Sequence, residues 1–104
     1  MIVAVVTFRL PKSMTVAEAT ATFGSTAPKY QGLAGLVRKN YLLSEDGTRA
    51  GGVYLWETRA DAERVYNADW RKMVEAKYGA PPSVEYFESP VMVDNLNGSI
   101  SVAA

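Results

Sequence analysis

Apolar residues recur at every second position in the first stretch of the chain, at Ile2, Ala4, Val6, Phe8 and Leu10. The intervening residues 3 and 5 are both valine, so the two sides of this stretch are apolar. A period of two predicts a β-strand, and apolar side chains on both sides indicate that both faces are covered. We therefore predict a central strand over residues 2–10.

The next stretch has the spacing of a helix. It begins with a capping box, in which the side chains of Thr15 and Glu18 each satisfy a free backbone amide. Gly24 and Pro28 interrupt the apolar spacing that follows. This predicts a bend, or a second short segment that ends near Tyr30.

A second helix is predicted after Thr58, where the capping pattern is repeated, and it continues to about residue 78. Gly79 is placed to end it in the left-handed conformation. Its predicted apolar stripe consists of Ala62, Val65, Tyr66, Trp70, Met73 and Val74.

Residues 35–57, between the two helices, predict a β-hairpin. Asp46 and Gly47 lie at its centre, and an Asp-Gly pair favours a tight turn because glycine adopts positive φ without strain. Residues 83–88 alternate again and predict a fourth strand. Residues 91–93 predict a short edge strand or a segment that swaps onto a partner, and the last ten residues predict an arm or a frayed tail.

The predicted order of elements is β-α-β-β-α-β in one domain over residues 1–94, followed by a C-terminal tail over residues 95–104. This is an α+β, ferredoxin-like arrangement, with a four-stranded antiparallel sheet and both helices on one face. Because the central strands are apolar on both sides, the other face of the sheet needs a cover. A second copy of this small chain is the expected cover, which gives a homodimer with back-to-back sheets.

Charge and rare residue types narrow the possible function classes. The chain has 11 basic and 11 acidic residues, so no long-range attraction to nucleic acid or to an anionic membrane is expected. It has no cysteine and no histidine, which excludes thiolate chemistry, Cys-ligated metals, Ser-His triads and the usual haem ligand. No apolar run is long enough to span a membrane and no secretory signal is visible, so we expect a cytoplasmic protein.

Four short segments occur in a recognisable order, at residues 27–30 (APKY), 35–42 (GLVRKNYL), 51–57 (GGVYLWE) and 78–81 (YGAP). This ordered set resembles the YdhR-type family, whose members are assigned as monooxygenases within the dimeric α/β-barrel superfamily. The resemblance covers about residues 1–95 and implies a dimeric barrel. It further implies similarity to relatives that oxidise polyphenolic substrates without a cofactor, through a deprotonated substrate that itself passes an electron to oxygen.

The resemblance also implies the type of site. Such sites use Asn, Trp, Tyr and Arg instead of a metal or a flavin, so we expect neither a cofactor nor a metal here. The haem-degrading branch of the superfamily relies on a histidine ligand that this chain lacks. We therefore do not expect haem degradation.

Candidate site residues are concentrated on the hairpin and on the second helix. Alternation along the first hairpin strand puts Arg38, Asn40 and Leu42 on one face and Lys39, Tyr41 and Leu43 on the other, and the sequence leaves open which set faces the helices. Each cation could instead be a strand-edge charge or part of a dimer ion pair. The predicted catalytic residues are Asn40, Arg38 and Trp70. The predicted substrate-binding residues are Tyr41, Tyr54, Trp56, Tyr66 and Lys39.

The function expected from these features is a cofactor-independent monooxygenase that acts on a small aromatic or polycyclic substrate. A non-catalytic small-ligand-binding or stress-response dimer could use a cavity formed by the same residues. A lyase or isomerase of a hydroxylated aromatic or a lactone is a further alternative. The fold supports all three, so the fold does not decide among them.

Overall fold

The computed structural model describes residues 1–102 of the chain. It confirms the predicted α+β, ferredoxin-like class with a four-stranded antiparallel sheet. The strands are β1 (Ile2–Arg9), β2 (Leu36–Leu43), β3 (Arg49–Trp56), β4 (Ser83–Glu88), β5 (Val91–Asp94) and β6 (Ser99–Val102). The helices are α1 (Val16–Thr26), α2 (Arg59–Val65) and α3 (Ala68–Tyr78), and a 3-10 turn covers Ala27–Lys29.

The main sheet has the strand order β2-β3-β1-β4, so β1 is the central strand that its apolar pattern predicts. Val6 pairs with Gly52 of β3 on one side and with Val84 of β4 on the other. The even-numbered residues of β1 are buried against the helices, and Val6 is only 1% exposed. We call this side of the sheet the helix face and the opposite side the open face.

A β-bulge sets the orientation of β2. Leu36 pairs with Trp56 and Arg38 pairs with Leu55, so Val37 is an extra residue in the ladder. An extra residue shifts the alternation of side chains by one position. From there on, Lys39 pairs with Tyr54 and points to the helix face.

The helix starts follow the capping signals. The capping box between Thr15 and Glu18 is present, and Thr58 accepts a hydrogen bond from the backbone amide of Asp61 at the start of α2. Of the two alternatives predicted after the first helix, the structure shows the second short segment: α1 ends at Thr26, and the 3-10 turn that follows is capped by Tyr30. Gly79 ends α3 with φ of 81°, as predicted.

The prediction of one continuous second helix is wrong, because the chain breaks after Val65 into α2 and α3. Tyr66 leaves the helical conformation, and the side chain of Asn67 accepts a hydrogen bond from the amide of Trp70 at 3.0 Å. A short polar side chain that caps a new helix competes with the continuing backbone ladder. Tyr66 and Trp70, on either side of the break, pack against each other with ring centroids 4.7 Å apart.

The turn of the β2–β3 hairpin lies where the Asp-Gly pair predicts it. Gly47 has φ of 74°, and Asp46 accepts hydrogen bonds from Ser44 and from both the amide and the hydroxyl of Thr48. These donors favour the carboxylate and lower the pKa of Asp46 to about 2. The backbone of Met14 donates to the Gly47 carbonyl at 2.9 Å, which joins the turn to the start of α1.

Residues 91–102 form a second, two-stranded sheet in which β5 pairs with β6. The segment expected to be an arm or a frayed tail therefore contains a strand, Ser99–Val102, while residues 103–104 lie outside the described part of the chain. Asp94 of β5 is buried and pairs with Arg38 at 3.6 Å, and Met92 and Val102 line a pocket with Leu55. This β5–β6 hairpin thus contacts part of the open face.

The rest of the open face remains apolar and partly exposed. Val3, Val5 and Val53 are half-buried there, and Leu42 and Phe87 are exposed by 36% and 47%. No helix within residues 1–102 is long and apolar enough to cross a membrane.

Candidate functional site

A small cavity of about 40 Å³ lies between the helix face of the sheet and the helices. Its floor includes Val6, Tyr41 and Tyr54 from the strands, and its walls include Phe23 of α1 and Trp70 of α3. A space of this size holds a few water molecules but not an aromatic ligand. A groove of about 630 Å³ adjoins it, and Tyr30, Lys39 and Tyr41 line both spaces.

Lys39 is the polar centre of this region. Its ammonium nitrogen Nζ lies 3.5 Å from the ring centroid of Tyr30, 3.7 Å from that of Tyr41 and 4.6 Å from that of Tyr54. Ring faces carry negative partial charge and attract a cation at these distances. We call Tyr30, Tyr41 and Tyr54 the aromatic cage.

A glycine on the neighbouring strand makes room for the lysine. A Cβ atom at Gly52 would lie 3.2 Å from Cε of Lys39 and 3.1 Å from the ring of Tyr54. Both distances are tighter than ordinary van der Waals contact. At Gly52 the backbone of β3 is therefore in close contact with these two side chains.

Burial controls the protonation of Lys39. Removal of the amine from water disfavours its charged form and lowers the pKa of Lys39 to about 7. None of the carboxylates within residues 1–102 forms an ion pair with it. The cage rings attract the charged form and work in the opposite direction. Both the amine and the ammonium of Lys39 are therefore accessible near neutral pH.

The polar ends of the surrounding aromatic residues bond to one another. Nε1 of Trp70 donates to the hydroxyl of Tyr30 at 3.2 Å, and the hydroxyls of Tyr41 and Thr26 are 2.7 Å apart. Burial raises the pKa of Tyr41 and, more strongly, that of Tyr54. Tyr41 and Tyr54 are therefore neutral hydroxyl groups near neutral pH.

Trp56 and Tyr66 lie behind the cavity and not in its lining. Nε1 of Trp56 donates to the hydroxyl of Tyr66 at 3.0 Å, and the two side chains are 0% and 5% exposed. Tyr66 also contacts Tyr54 edge-on at 5.3 Å between ring centroids. These two predicted substrate-binding residues support the cavity wall from the core.

The structure brings some predicted site residues together and separates others. Trp70, Lys39, Tyr41 and Tyr54 line the cavity as a group. Arg38 and Asn40, predicted to act with Trp70, point to the open face instead, because the bulge at Val37 sets the alternation of β2. Arg38 pairs there with Asp94, and Asn40 is exposed.

Neither Arg38 nor Asn40 accepts from the buried indole groups, since Tyr66 and Tyr30 accept the two indole hydrogen bonds. Tyr30 is also the main residue that the sequence reasoning missed. It directly follows the 3-10 turn, and its position after the Ala-Pro-Lys segment was the available signal. Phe23, Thr26 and Tyr78 likewise line the cavity and were not predicted as site residues.

Metal-ligand side chains do not converge in this region. Within residues 1–102, no group of three or more acidic, histidine or cysteine side chains is arranged to hold a metal ion. The arrangement offers an amine that can take up a proton, neutral hydroxyl donors and aromatic walls. Such a set suits the binding and deprotonation of an acidic aromatic hydroxyl.

Three solved structures share this fold. A monooxygenase from the gene ActVA-Orf6 of Streptomyces coelicolor, in complex with the ligand Nanaomycin D, has a TM-score of 0.63 at 22% identity, over 85% of this chain and 86% of that chain. A protein of Bordetella bronchiseptica assigned to antibiotic biosynthesis monooxygenases has a TM-score of 0.60 at 23% identity, over 85% and 95%. One of Nitrosomonas europaea with the same assignment has a TM-score of 0.56 at 23% identity, over 86% and 98%.

At this level of identity, the likeness shows a shared fold and nothing further about activity. No family model matches the chain, and no curated protein matches it. The class that the structure defines is a ferredoxin-like α+β domain of the kind found in these monooxygenase structures.

Proposed function

We propose that this protein is a cofactor-independent monooxygenase of the YdhR type that acts on a small aromatic substrate with an acidic hydroxyl group. The observation that carries the proposal is Lys39, a desolvated amine held by three tyrosine rings at the boundary between cavity and groove. The structural neighbours support it, because they are monooxygenases by name and one of them binds a small molecule.

In the proposed reaction, the substrate ring lies in the groove against Tyr30 and Tyr41, with its hydroxyl directed to Lys39. The groove has the volume of a typical small-ligand site, whereas the inner cavity does not. The neutral amine of Lys39 takes the phenolic proton, and the resulting ammonium stabilises the phenolate. The electron-rich phenolate then passes an electron to dioxygen, and the two radicals combine to form a peroxide anion on a ring carbon that carries hydrogen. The Lys39 ammonium returns its proton to this peroxide, the O–O bond breaks, and water leaves with the hydrogen of that carbon, which becomes a carbonyl.

Trp70 acts in this proposal through its hydrogen bond to Tyr30, which fixes one wall of the aromatic cage. Tyr41 is fixed in a similar way by Thr26 and by stacking on Phe23 at 4.9 Å between ring centroids. A preorganised wall lowers the cost of ordering the site when the substrate binds.

The proposed assembly is a homodimer in which two open faces pack together. Support comes from the exposed apolar side chains Leu42 and Phe87 on that face and from the half-buried valines of the central strands. In this arrangement, Arg38 and Asn40 face the partner sheet and not the substrate. Light scattering of the purified protein tests this: a dimer mass is expected, and the variant Phe87→Lys is expected to shift the mass toward a monomer. A monomer mass for the unmodified protein contradicts it.

The experiment that tests the activity measures oxygen uptake by the purified protein with an anthrone-like phenol, with no flavin or metal added. We expect uptake that requires both protein and phenol. The variant Lys39→Met keeps the aliphatic stem and removes the amine, and it is expected to lower turnover by about 100-fold. Lys72→Met, on the exposed surface of α3, is the matched control and keeps full turnover.

Thermal stabilisation by the phenol without oxygen uptake would identify a non-catalytic binding protein instead. Equal turnover in Lys39→Met and Lys72→Met would contradict the assignment of Lys39.

A further inference from the structure

The amine of Lys39 can be reached from the surface. It lines both the inner cavity and the groove, and the groove is also lined by residues of the loop around Gln31 and of β2. A molecule bound in the groove therefore meets the nitrogen without crossing the protein core. The other cavity-lining lysines, Lys29 and Lys77, are exposed and lie outside the aromatic cage.

The chemical state of this amine differs from that of a surface lysine. An ammonium group has no lone pair and is not a nucleophile, whereas burial lowers the pKa of Lys39 to about 7 and makes the neutral amine available near neutral pH. The cage rings hold the nitrogen in place but accept no proton from it.

Three of the tyrosines that line the cavity with Lys39 stay neutral near neutral pH, while the rings of the aromatic cage favour the ammonium form of the lysine. Tyr41 on β2, Tyr54 on β3 and Tyr78 on α3 all have a raised pKa, because each is buried. No carboxylate within residues 1–102 pairs with the lysine. The charged groups nearest to it in the cavity lining are the cations Lys29 and Lys77, which do not stabilise a further positive charge.

We propose that Lys39 is a nucleophilic lysine that forms an imine with small aromatic aldehydes and ketones bound in the adjoining groove. The aryl ring packs against Tyr30 and Tyr41, which are the walls shared by cage and groove. The carbonyl carbon then lies next to Nζ of Lys39. This reactivity goes beyond the proposed oxygenation, because it needs no dioxygen and no acidic hydroxyl on the ligand.

The step is balanced without any other reactant. The nitrogen lone pair forms a bond to the carbonyl carbon, and the carbonyl π electrons move to oxygen to give a carbinolamine. Both amine protons end on that oxygen, which leaves as water, and a carbon–nitrogen double bond remains. Nothing is oxidised or reduced, and water reverses the reaction.

The test uses the full-length protein with benzaldehyde and cyanoborohydride at pH 7 under argon, because the reductant converts an imine into a stable benzylamine. Peptide mapping by mass spectrometry separates Lys39 from Lys12, Lys29, Lys72 and Lys77. We expect Lys39 to be labelled about 100-fold faster than Lys72. The larger neutral fraction of the Lys39 amine at pH 7 alone would give roughly 1,000-fold, and the lower intrinsic nucleophilicity of a less basic amine offsets part of it. Labelling of Lys39 no faster than that of Lys72 would overturn the proposal.

Two variants make the result specific. Lys39→Arg keeps a cation in the cage and is expected to abolish the fast labelling, whereas Lys72→Arg is expected to leave it unchanged. Fast labelling that persists in Lys39→Arg would overturn the proposal as well. Since the reaction runs without oxygen, its outcome is separate from that of the oxygen-uptake experiment, and either proposal can fail alone.

Discussion

Two adjacent residues of β2 experience opposite environments. Lys39 lies on the helix face under three tyrosine rings, whereas Asn40 lies on the open face and is exposed. Both are polar residues on a strand that also carries apolar side chains, so their residue types alone do not separate them. What separates them is the cover that the chain itself supplies to each face, since within one chain only the helix face has walls that exclude water from a polar strand residue and shift its protonation.

The two faces also satisfy their polar groups differently. On the helix face the hydroxyl and indole groups bond to one another, as in the pairs Trp70–Tyr30 and Trp56–Tyr66. On the open face, Arg38 finds a carboxylate in the β5–β6 hairpin. Internal partners make the helix face rigid, and a rigid wall is what a binding site requires.

The largest expected difference between the faces is in the stability lost when a large side chain is truncated. Trp70→Ala removes a side chain that is 7% exposed, and it is expected to lower the free energy of unfolding by about 3–5 kcal/mol. Phe87→Ala, on the open face and 47% exposed in the single chain, is expected to cost less than half as much when both variants unfold as monomers at low protein concentration. Urea denaturation at fixed protein concentration measures both. An equal loss in the two variants would contradict the contrast between the faces.

A smaller effect is expected at the two adjacent glycines of β3. A Cβ at Gly51 would collide with the carbonyl oxygen of Val6 in the central strand, and this backbone cannot move aside. Gly51→Ala is therefore expected to destabilise the fold by about 2–3 kcal/mol. A Cβ at Gly52 is less crowded. It meets the ring of Tyr54 at 3.1 Å, the side chain of Lys39 at 3.2 Å and the backbone carbonyl of Asn40 at 3.3 Å, so shifts of a few tenths of an ångström are enough.

Gly52→Ala is thus expected to cost less than about 1 kcal/mol in stability, since the loss of chain entropy in the unfolded state partly offsets the crowding. It is also expected to displace Lys39 from the cage. Urea denaturation of both variants provides the comparison, and a greater loss in Gly52→Ala than in Gly51→Ala would contradict it.

The third expected effect is a pH dependence that belongs to Lys39. Its pKa is about 7 in the folded chain and about 10.4 when exposed after unfolding, so between these values the unfolded chain binds more protons. The stability of the native protein therefore rises with pH from about 7 to 10, and below pH 7 the cost of burying the charge is fully present. The variant Lys39→Met lacks this lysine, so its free energy of unfolding lacks the part of the pH dependence that Lys39 causes.

Solvent screening and the attraction to the rings reduce the size of this effect. We expect the difference in free energy of unfolding between the native protein and Lys39→Met to change by about 1 kcal/mol between pH 6 and pH 10. Urea denaturation of both proteins at pH 6, 8 and 10 measures this difference in stability. A stability difference that is constant over this range would show that Lys39 has an ordinary pKa.

Much of the fold could be predicted from local signals in the sequence. The alternation of β1, the capping residues Thr15 and Thr58 and the Asp46-Gly47 turn each act over a few residues, and the structure follows them. The break between α2 and α3 was missed because the apolar stripe continues through it. Only the capping side chain of Asn67 marks that break in the sequence.

The site was less predictable for a geometric reason. A single bulge residue, Val37, shifts the alternation of β2 and so decides that Lys39 and Tyr41, and not Arg38 and Asn40, point toward the helices. No property of Val37 itself signals a bulge. Tyr30 enters the site through a contact with Trp70, 40 residues away, and such a contact depends on the completed fold.

The most direct test of the contrast between the faces is oxygen uptake with an anthrone-like phenol in two adjacent variants of β2, Lys39→Met and Asn40→Ala. Each changes one polar side chain on the same strand, so effects on the strand itself are matched. We predict that Lys39→Met loses about 100-fold in turnover while Asn40→Ala stays within about twofold of the unmodified protein. Full turnover in Lys39→Met together with a large loss in Asn40→Ala would place the reaction on the open face and contradict this account.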